Sequence, residues 1–304
     1  MPDILLNFVP FLLALALGFA YKRIGIFGQT DGRVIARLVV NVTFPAVAFS
    51  ALYRATLTPD VLFLPLFGLL IPLTGMGIAY GVGRRIRLPD HEMGVFLCNA
   101  GVTNLAFFLF PIFQQLYGFE ALTHLVIFDT GNALMAFLVT FAVARYYGSR
   151  NKGQIAMNWR GLLLSPPLMV LPLALILNAA DVALPDSVAR LLDVAANANT
   201  LLTMITLGIY IEPRLYKLRL VALGLVMRFG VGLLLGLLVA TLLNLTGLNR
   251  LIVIMGAAMP TGMTVLIYAA NEGLDAELAA NLISYSLIVG FGMVMLLSAL
   301  LPYP

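Results

Sequence analysis

Charge is the scarcest thing in this sequence. Asp, Glu, Lys and Arg make up 11% of the 304 residues, where an ordinary soluble domain has about 25%. Cysteine occurs once, as Cys98 inside an apolar stretch, so neither a disulfide framework nor a cysteine metal site can be assembled. The two histidines, His91 and His124, stand close to the starts of expected helices. There is no His-Glu-x-x-His pair, no glycine-rich phosphate loop and no aspartate-rich motif. These absences argue against a nucleotide-driven pump and leave an enzyme without a reactive constellation, and no cofactor or metal is expected. The basic residues sit in short connections, which reads as membrane topology and not as nucleic-acid binding.

What is there is apolar. Hydrophobic residues are 61% of the chain and the mean hydropathy is +1.00, against an apolar share of about 45–50% in soluble domains. The chain therefore reads as an integral membrane protein crossing the bilayer many times. The first apolar run, residues 4–20, is followed and not preceded by its basic pair Lys22 and Arg23, and it has no small-residue cleavage site. It reads as a retained first helix.

A span needs about 20 apolar residues, which divides the chain into ten helices at about 3–21, 33–53, 61–83, 91–116, 121–147, 160–179, 187–212, 217–246, 249–272 and 276–301. The basic residues alternate with this count. Fourteen fall on one side, in the connections after helices 1, 3, 5 and 7. Three, Arg54, Arg190 and Arg250, fall on the other, and Arg228 is left inside helix 8. By the positive-inside rule the first side is cytoplasmic and both termini are outside.

The stretch 255–271, MGAAMPTGMTVLIYAAN, places Pro260 in the middle of a membrane-grade segment. Proline removes a backbone donor, and hydrocarbon has no water to satisfy the freed carbonyls. The helix is expected to break there, with Met259, Pro260, Thr261 and Thr264 around the interruption. Carriers build midplane sites from such discontinuous helices, although a proline kink can also do no more than bend. At an offset of about 155 residues, QLYGFEA at 115–121 matches ANEGLDA at 270–276, and the polar run Asn99–Asn104 falls beside Pro260. In the same register, NVTFP at 41–45 falls near Asn197 and Asn199. Five spans per half make the halves inverted repeats: residues 1–148, a cytoplasmic linker at 149–159, and residues 160–304.

The segments GFAYKRIGIF (18–27), LVVNVTFP (38–45), NAG (99–101), AMP (258–260) and NEG (271–273) resemble the auxin efflux carrier family of membrane transporters. Its bacterial members include malate and malonate permeases. The resemblance covers essentially the whole chain. It implies an all-α membrane protein of ten transmembrane helices in two inverted five-helix repeats, with helices 4 and 9 broken where they cross at the substrate site. It also implies a scaffold bundle of helices 1, 2, 6 and 7 and a transport core of helices 3, 4, 5, 8, 9 and 10. Related folds include the bile acid symporters and the sodium/proton antiporters. In one respect the chain departs from the family. Asn104 and Ala106 stand where a glycine and a proline are usual, and the next proline is Pro111. A softer break is expected in helix 4, held by Gly101 and the amides of Asn99 and Asn104.

Two charges lie deep in spans, each costing at least about 2.5–3.5 kcal/mol on insertion scales unless paired or hydrated. Asp129, with Asn132 one turn on, is read as a proton carrier or as a constitutive charge partner; its counterpart in the repeat is Ser284. Arg228, roughly 15 Å into its helix, is read as a contact for an anionic substrate, as a partner of Asp129, or as a cap on helix carbonyls. Asn41, Pro45, Asn99, Gly101 and Asn104 join the residues around Pro260 as candidates for the substrate site. The expected function is a secondary active transporter of small organic anions, such as carboxylates or auxin-like acids, working by alternating access with proton coupling. Sodium coupling is the alternative, and a membrane-embedded sensor is the reading from another class. The expected partners are the anion, the proton or sodium, and the lipid bilayer of a bacterial inner membrane, with a homodimer left open and no nucleic acid.

Overall fold

The computed structural model of the chain describes residues 2–56, 58–148 and 166–301. The expected linker 149–159 and the start of the expected sixth span, 160–165, lie outside the described residues. In chain order the helices are α1 (Pro2–Arg23), α2 (Gln29–Tyr53), α3 (Val61–Arg85), α4 (Asp90–Gly101), α5 (Leu105–Leu116) and α6 (Gly118–Tyr147). They continue with α7 (Pro166–Ala179), α8 (Asp186–Tyr210), α9 (Leu218–Leu242), α10 (Gly247–Ala257), α11 (Thr264–Glu272) and α12 (Ala276–Leu300). Among the described residues, seven of these are long and apolar enough to cross a membrane: α1, α2, α3, α6, α8, α9 and α12. The segments expected at 91–116 and 249–272 are each divided, α4 from α5 and α10 from α11.

Among the described residues, four helices contain a π turn, which hydropathy does not report: Val39–Thr43 in α2, Leu105–Leu109 opening α5, Met135–Thr140 in α6 and Val226–Val231 in α9. Each widens the helix locally and re-aims the side chains around it, a distortion that concentrates at functional sites.

The chain gathers into two compact units. The first comprises Met1–Thr58, Ala106–Val126 and Met157–Tyr210. Within it, α1 and α8 pack backbone to backbone. A Cβ on Gly18 would overlap the carbonyl of Ile205, and one on Gly208 would overlap the carbonyl of Leu15. In a bilayer, where lipid is as apolar as leucine, such close approach of small residues is a main source of helix association. The same unit satisfies its polar groups internally. Thr43 donates to Asn199 Oδ1 at 2.8 Å, and Asn178 donates to the carbonyls of Tyr53 and Ala55 at 2.7 and 3.0 Å, closing the end of α2.

The second unit comprises Pro59–Leu105, Ile127–Ala156 and Ile211–Pro304. Here α3 meets α6 by the same device: Gly68 lies on the Phe128 carbonyl and Gly131 on that of Pro65. Its core packs Met76, Met93, Phe96, Leu97, Met135 and Leu282. At one end Lys217 ties the starts of α4 and α12, with its ammonium 2.8 Å from Glu92 and 2.6 Å from Asp275. Asp275 also caps α12, accepting from the Leu278 amide at 2.9 Å. Burial pushes the Asp275 carboxyl up, but the bonds from Lys217, Leu278 and Tyr216 outweigh it and hold the group below the usual carboxylate range. His91 reaches the same corner as these two carboxylates, and Lys217 already supplies their countercharge.

Replacing Gly208 with valine forces side-chain volume into the Leu15 carbonyl. Overpacking of this kind costs about 1–3 kcal/mol, so the detergent-solubilised Gly208→Val protein is expected to unfold at a clearly lower temperature than wild type. An unchanged midpoint would mean that α1 and α8 are not in close contact there.

Candidate functional site

Both interruptions in the second unit arise from the residues at the break. Pro260 carries no N–H, so α10 stops at Ala257, and Ala258 leaves helical geometry with φ −109° and ψ 35°. The other break has no proline. Its α4 stops at Gly101, and Val102 is fully extended, with φ −135° and ψ 125°. A Cβ on Gly101 would meet the Met76 methyl group and Thr140 Oγ1, so the helix ends where only glycine fits. The sequence led to a softer break here; the structure shows a complete one.

The two extended pieces pair with each other. Thr103 and Thr261 form an antiparallel bridge, the single one among the described residues. The Asn104 amide donates to the Pro260 carbonyl at 2.8 Å, and the Gly262 amide donates to the Val102 carbonyl at 3.0 Å. Groups that leave one helix are thus satisfied by the other break, the condition for irregular backbone at membrane depth. Pro260 takes part through its carbonyl, the one polar backbone group it has.

Each bridging threonine is then held from a neighbouring helix. On α6, Asn132 Oδ1 accepts from the Thr103 amide at 3.1 Å and from its hydroxyl at 2.8 Å, while Asn132 Nδ2 donates to the Thr103 carbonyl at 3.0 Å. One side chain thereby reads both sides of residue 103 as a neighbouring strand would. On α12, Ser286 Oγ accepts from the Thr261 amide at 3.1 Å. The Thr261 hydroxyl donates to Asn99 Oδ1 at 2.6 Å, and Asn99 Nδ2 donates to the Gly224 carbonyl on α9 at 2.9 Å.

One turn further along α9, inside its π turn, lies Arg228, 2% exposed. Its Nη1 donates to the carbonyl of Ala100 at 2.9 Å and its Nη2 to that of Ala257 at 2.6 Å. Ala257 is the last residue of α10 and Ala100 the last but one of α4. A helix C-terminus carries roughly half a negative charge, so two of them present about the charge that one guanidinium cancels. Among the described residues no ion pair joins Arg228 to Asp129. Of the alternatives open for Arg228, the contacts made are those of a cap on helix carbonyls and not of a partner for Asp129. Asp129 Oδ1 instead accepts from Asn132 Nδ2 at 2.8 Å. Ser284, which the sequence register sets opposite Asp129, accepts from the Glu212 amide at 3.0 Å.

The structure brings Asn99, Gly101, Asn104, Met259, Pro260 and Thr261 together at or beside the bridge. Asn99, Asn104 and Thr261 are at most 4% exposed. Asn41 and Pro45 belong to the other unit. Asn41 is exposed and turns its amide back to the Arg37 carbonyl at 2.7 Å, while Pro45 is buried in the first turn after the π turn of α2. Among the described residues, four polar atoms near the bridge have no hydrogen-bond partner: Asn104 Nδ2, Thr140 Oγ1, Thr264 Oγ1 and Arg228 Nε. Asn104 Nδ2 and Arg228 Nε can only donate, while the two threonine hydroxyls can donate or accept. The sequence reading passed over Thr103, Gly224 and Ser286. A threonine at each break, each followed by a small or amide residue, was the available signal for Thr103, and nothing local marks the other two.

Comparison with known proteins places the whole chain in one family. Residues 3–297 match the family described as membrane transport protein. An uncharacterized transporter of Methanothermobacter thermautotrophicus is 27% identical over 283 residues, which cover 91% of this chain and 92% of the relative. A second uncharacterized transporter, from Methanocaldococcus jannaschii, is 24% identical over 292 residues, covering 91% and 94%. The chain belongs to the auxin efflux carrier family of membrane transport proteins. The family is one of transporters and not a class of enzymes.

Thr261→Val keeps the shape of the bridge but leaves Asn99 Oδ1 without its donor. An acceptor stranded in this way costs about 1–3 kcal/mol. Thermal unfolding in detergent is expected to show that loss for Thr261→Val and little loss for Thr261→Ser. Equal midpoints for both variants would remove the Asn99 contact from the account.

Proposed function

We propose that this protein is a secondary carrier of small organic anions, such as carboxylates or auxin-like acids, that works by alternating access. The observation that carries this reading is the pair of interrupted helices joined at Thr103 and Thr261 beside unpaired donors. Asn104 Nδ2 and Thr264 Oγ1 offer hydrogen bonds of the kind a carboxylate accepts. The half-helix α11 starts at Thr264, and helix N-termini favour negative charge. Every one of these unpartnered groups can donate to an anion, and Asn104 Nδ2 and Arg228 Nε can do nothing else.

The reading counts ten spans, with α4 and α5 forming one and α10 and α11 another, and takes the halves as inverted repeats in an inner membrane with both termini outside. Gly118 and Gly273, matched by the repeat, both adopt φ 78°, a left-handed conformation. The amide of each paired threonine is also held by a side chain from the second helix after its break, Asn132 on α6 or Ser286 on α12. The division of the chain into two units supports alternating access, in which the unit holding the crossing changes place during the cycle.

Asp129 is the proposed proton carrier. When ionised it receives a charge-assisted hydrogen bond from Asn132 Nδ2, and the same amide group holds Thr103. A proton on Asp129 converts that bond into a neutral one, roughly half as strong. The change reaches the bridge through one side chain.

Uptake of labelled mono- and dicarboxylates and auxin-like acids into proteoliposomes, with pH and sodium gradients imposed separately, tests the reading. Saturable uptake driven by a pH gradient is expected for wild type. Asp129→Asn is expected to fold and to lose the pH dependence, because asparagine keeps an acceptor for Asn132 but cannot exchange a proton. A pH dependence that survives in this variant removes Asp129 from coupling, and absence of anion uptake under any gradient sinks the carrier reading itself.

A further inference from the structure

We infer that Arg228 occupies, as a fixed part of the protein, the place where a carrier of this construction would otherwise bind a coupling cation. Carbonyl-bearing ends of interrupted helices, with unwound backbone, are where transporters coordinate sodium or protons. Here the two such ends in the second unit, the carbonyls of Ala100 and Ala257, both accept from one guanidinium. The occupancy is built in. Gly232, one turn after Arg228 on α9, has no side chain, and a Cβ there would overlap the Ala257 carbonyl. That close approach lets α9 deliver the guanidinium to both carbonyls. A mobile cation arriving at the same oxygens would find them engaged and a unit positive charge a few ångströms away. Arginine keeps its charge throughout the physiological range, and its planar fork reaches two acceptors at once.

The consequence is a division of labour. The negative ends of α4 and α10 are neutralised permanently, so the crossing holds its shape whatever the ionic composition around it. The inference rests on the carrier reading for the meaning of coupling, but its first test requires no transport. Purified wild type and Arg228→Ala, in detergent at one ionic strength, are to be unfolded by heat in choline, potassium, sodium or low-millimolar guanidinium chloride. Wild type is expected to show the same midpoint in all four. Arg228→Ala is expected to unfold at a lower temperature and to gain, with guanidinium, a saturable rise of roughly 2–4 °C or more once the cation is in excess of its dissociation constant.

A saturable, sodium-specific stabilisation of wild type overturns the inference, and so does an Arg228→Ala protein indifferent to guanidinium. Should Arg228→Ala not be recoverable, Arg228→Lys takes its place. It retains the charge but cannot bridge both carbonyls as the fork does, so it is expected to be less stable than wild type and equally indifferent to sodium; a sodium response in this variant counts against the inference. In proteoliposomes, wild-type uptake is expected to be unchanged by a sodium gradient. If no anion is taken up at all, the carrier reading fails, while the stability result still decides the role of Arg228.

Discussion

Backbone that leaves a helix inside a membrane must find hydrogen bonds within the protein, and the main-chain pairing of Thr103 with Thr261 is how this chain meets that demand. The two breaks solve each other's problem. The Asn104 amide needs an acceptor and Pro260 has a carbonyl to give; the Gly262 amide needs one and Val102 provides it. What remains is the residual charge of the helix ends, and Arg228 meets that on the carbonyl side. The other contacts of the site, Asn132 on Thr103 and Ser286 on Thr261, keep the two extended pieces in register.

The crossing is consequently stiff where it is paired and open where it is not. Asn99, Thr261, Asn132 and Thr103 form chains of satisfied bonds, while Asn104 Nδ2 and the hydroxyls of Thr140 and Thr264 are left without partners. Partly satisfied polar networks in a low-dielectric setting are costly. In the proposed carrier, a bound anion supplies the missing acceptor.

Much of this was legible in the sequence because the membrane imposes a simple grammar. Apolar run length located most of the helices, and Pro260 marked one break. The other break was harder. No proline stands at Gly101–Asn104, and only the amides and the resemblance to auxin efflux carriers pointed there. That it is complete follows from the fit of Gly101 against Met76 and Thr140 and from the grip of Asn132 on Thr103, neither of which is a local property. The π turns were invisible because they change how a helix is wound and not how apolar it is. Arg228 was legible as a buried charge. Its carbonyl partners, 128 and 29 positions away in the chain, were one of several options until the helix ends were placed.

The most direct measurement is a cross-link at the bridge. In an antiparallel pair of this type the two Cα atoms stand about 4.5 Å apart, within the range a disulfide accepts. With Cys98 replaced by alanine and Thr103 and Thr261 both replaced by cysteine, treatment with a membrane-permeant oxidant is expected to join the two residues in a single chain, as read by mass spectrometry of the digested protein. Two thiols that stay free and open to alkylation under conditions that oxidise a neighbouring control pair would contradict the crossing, and with it the account of the site.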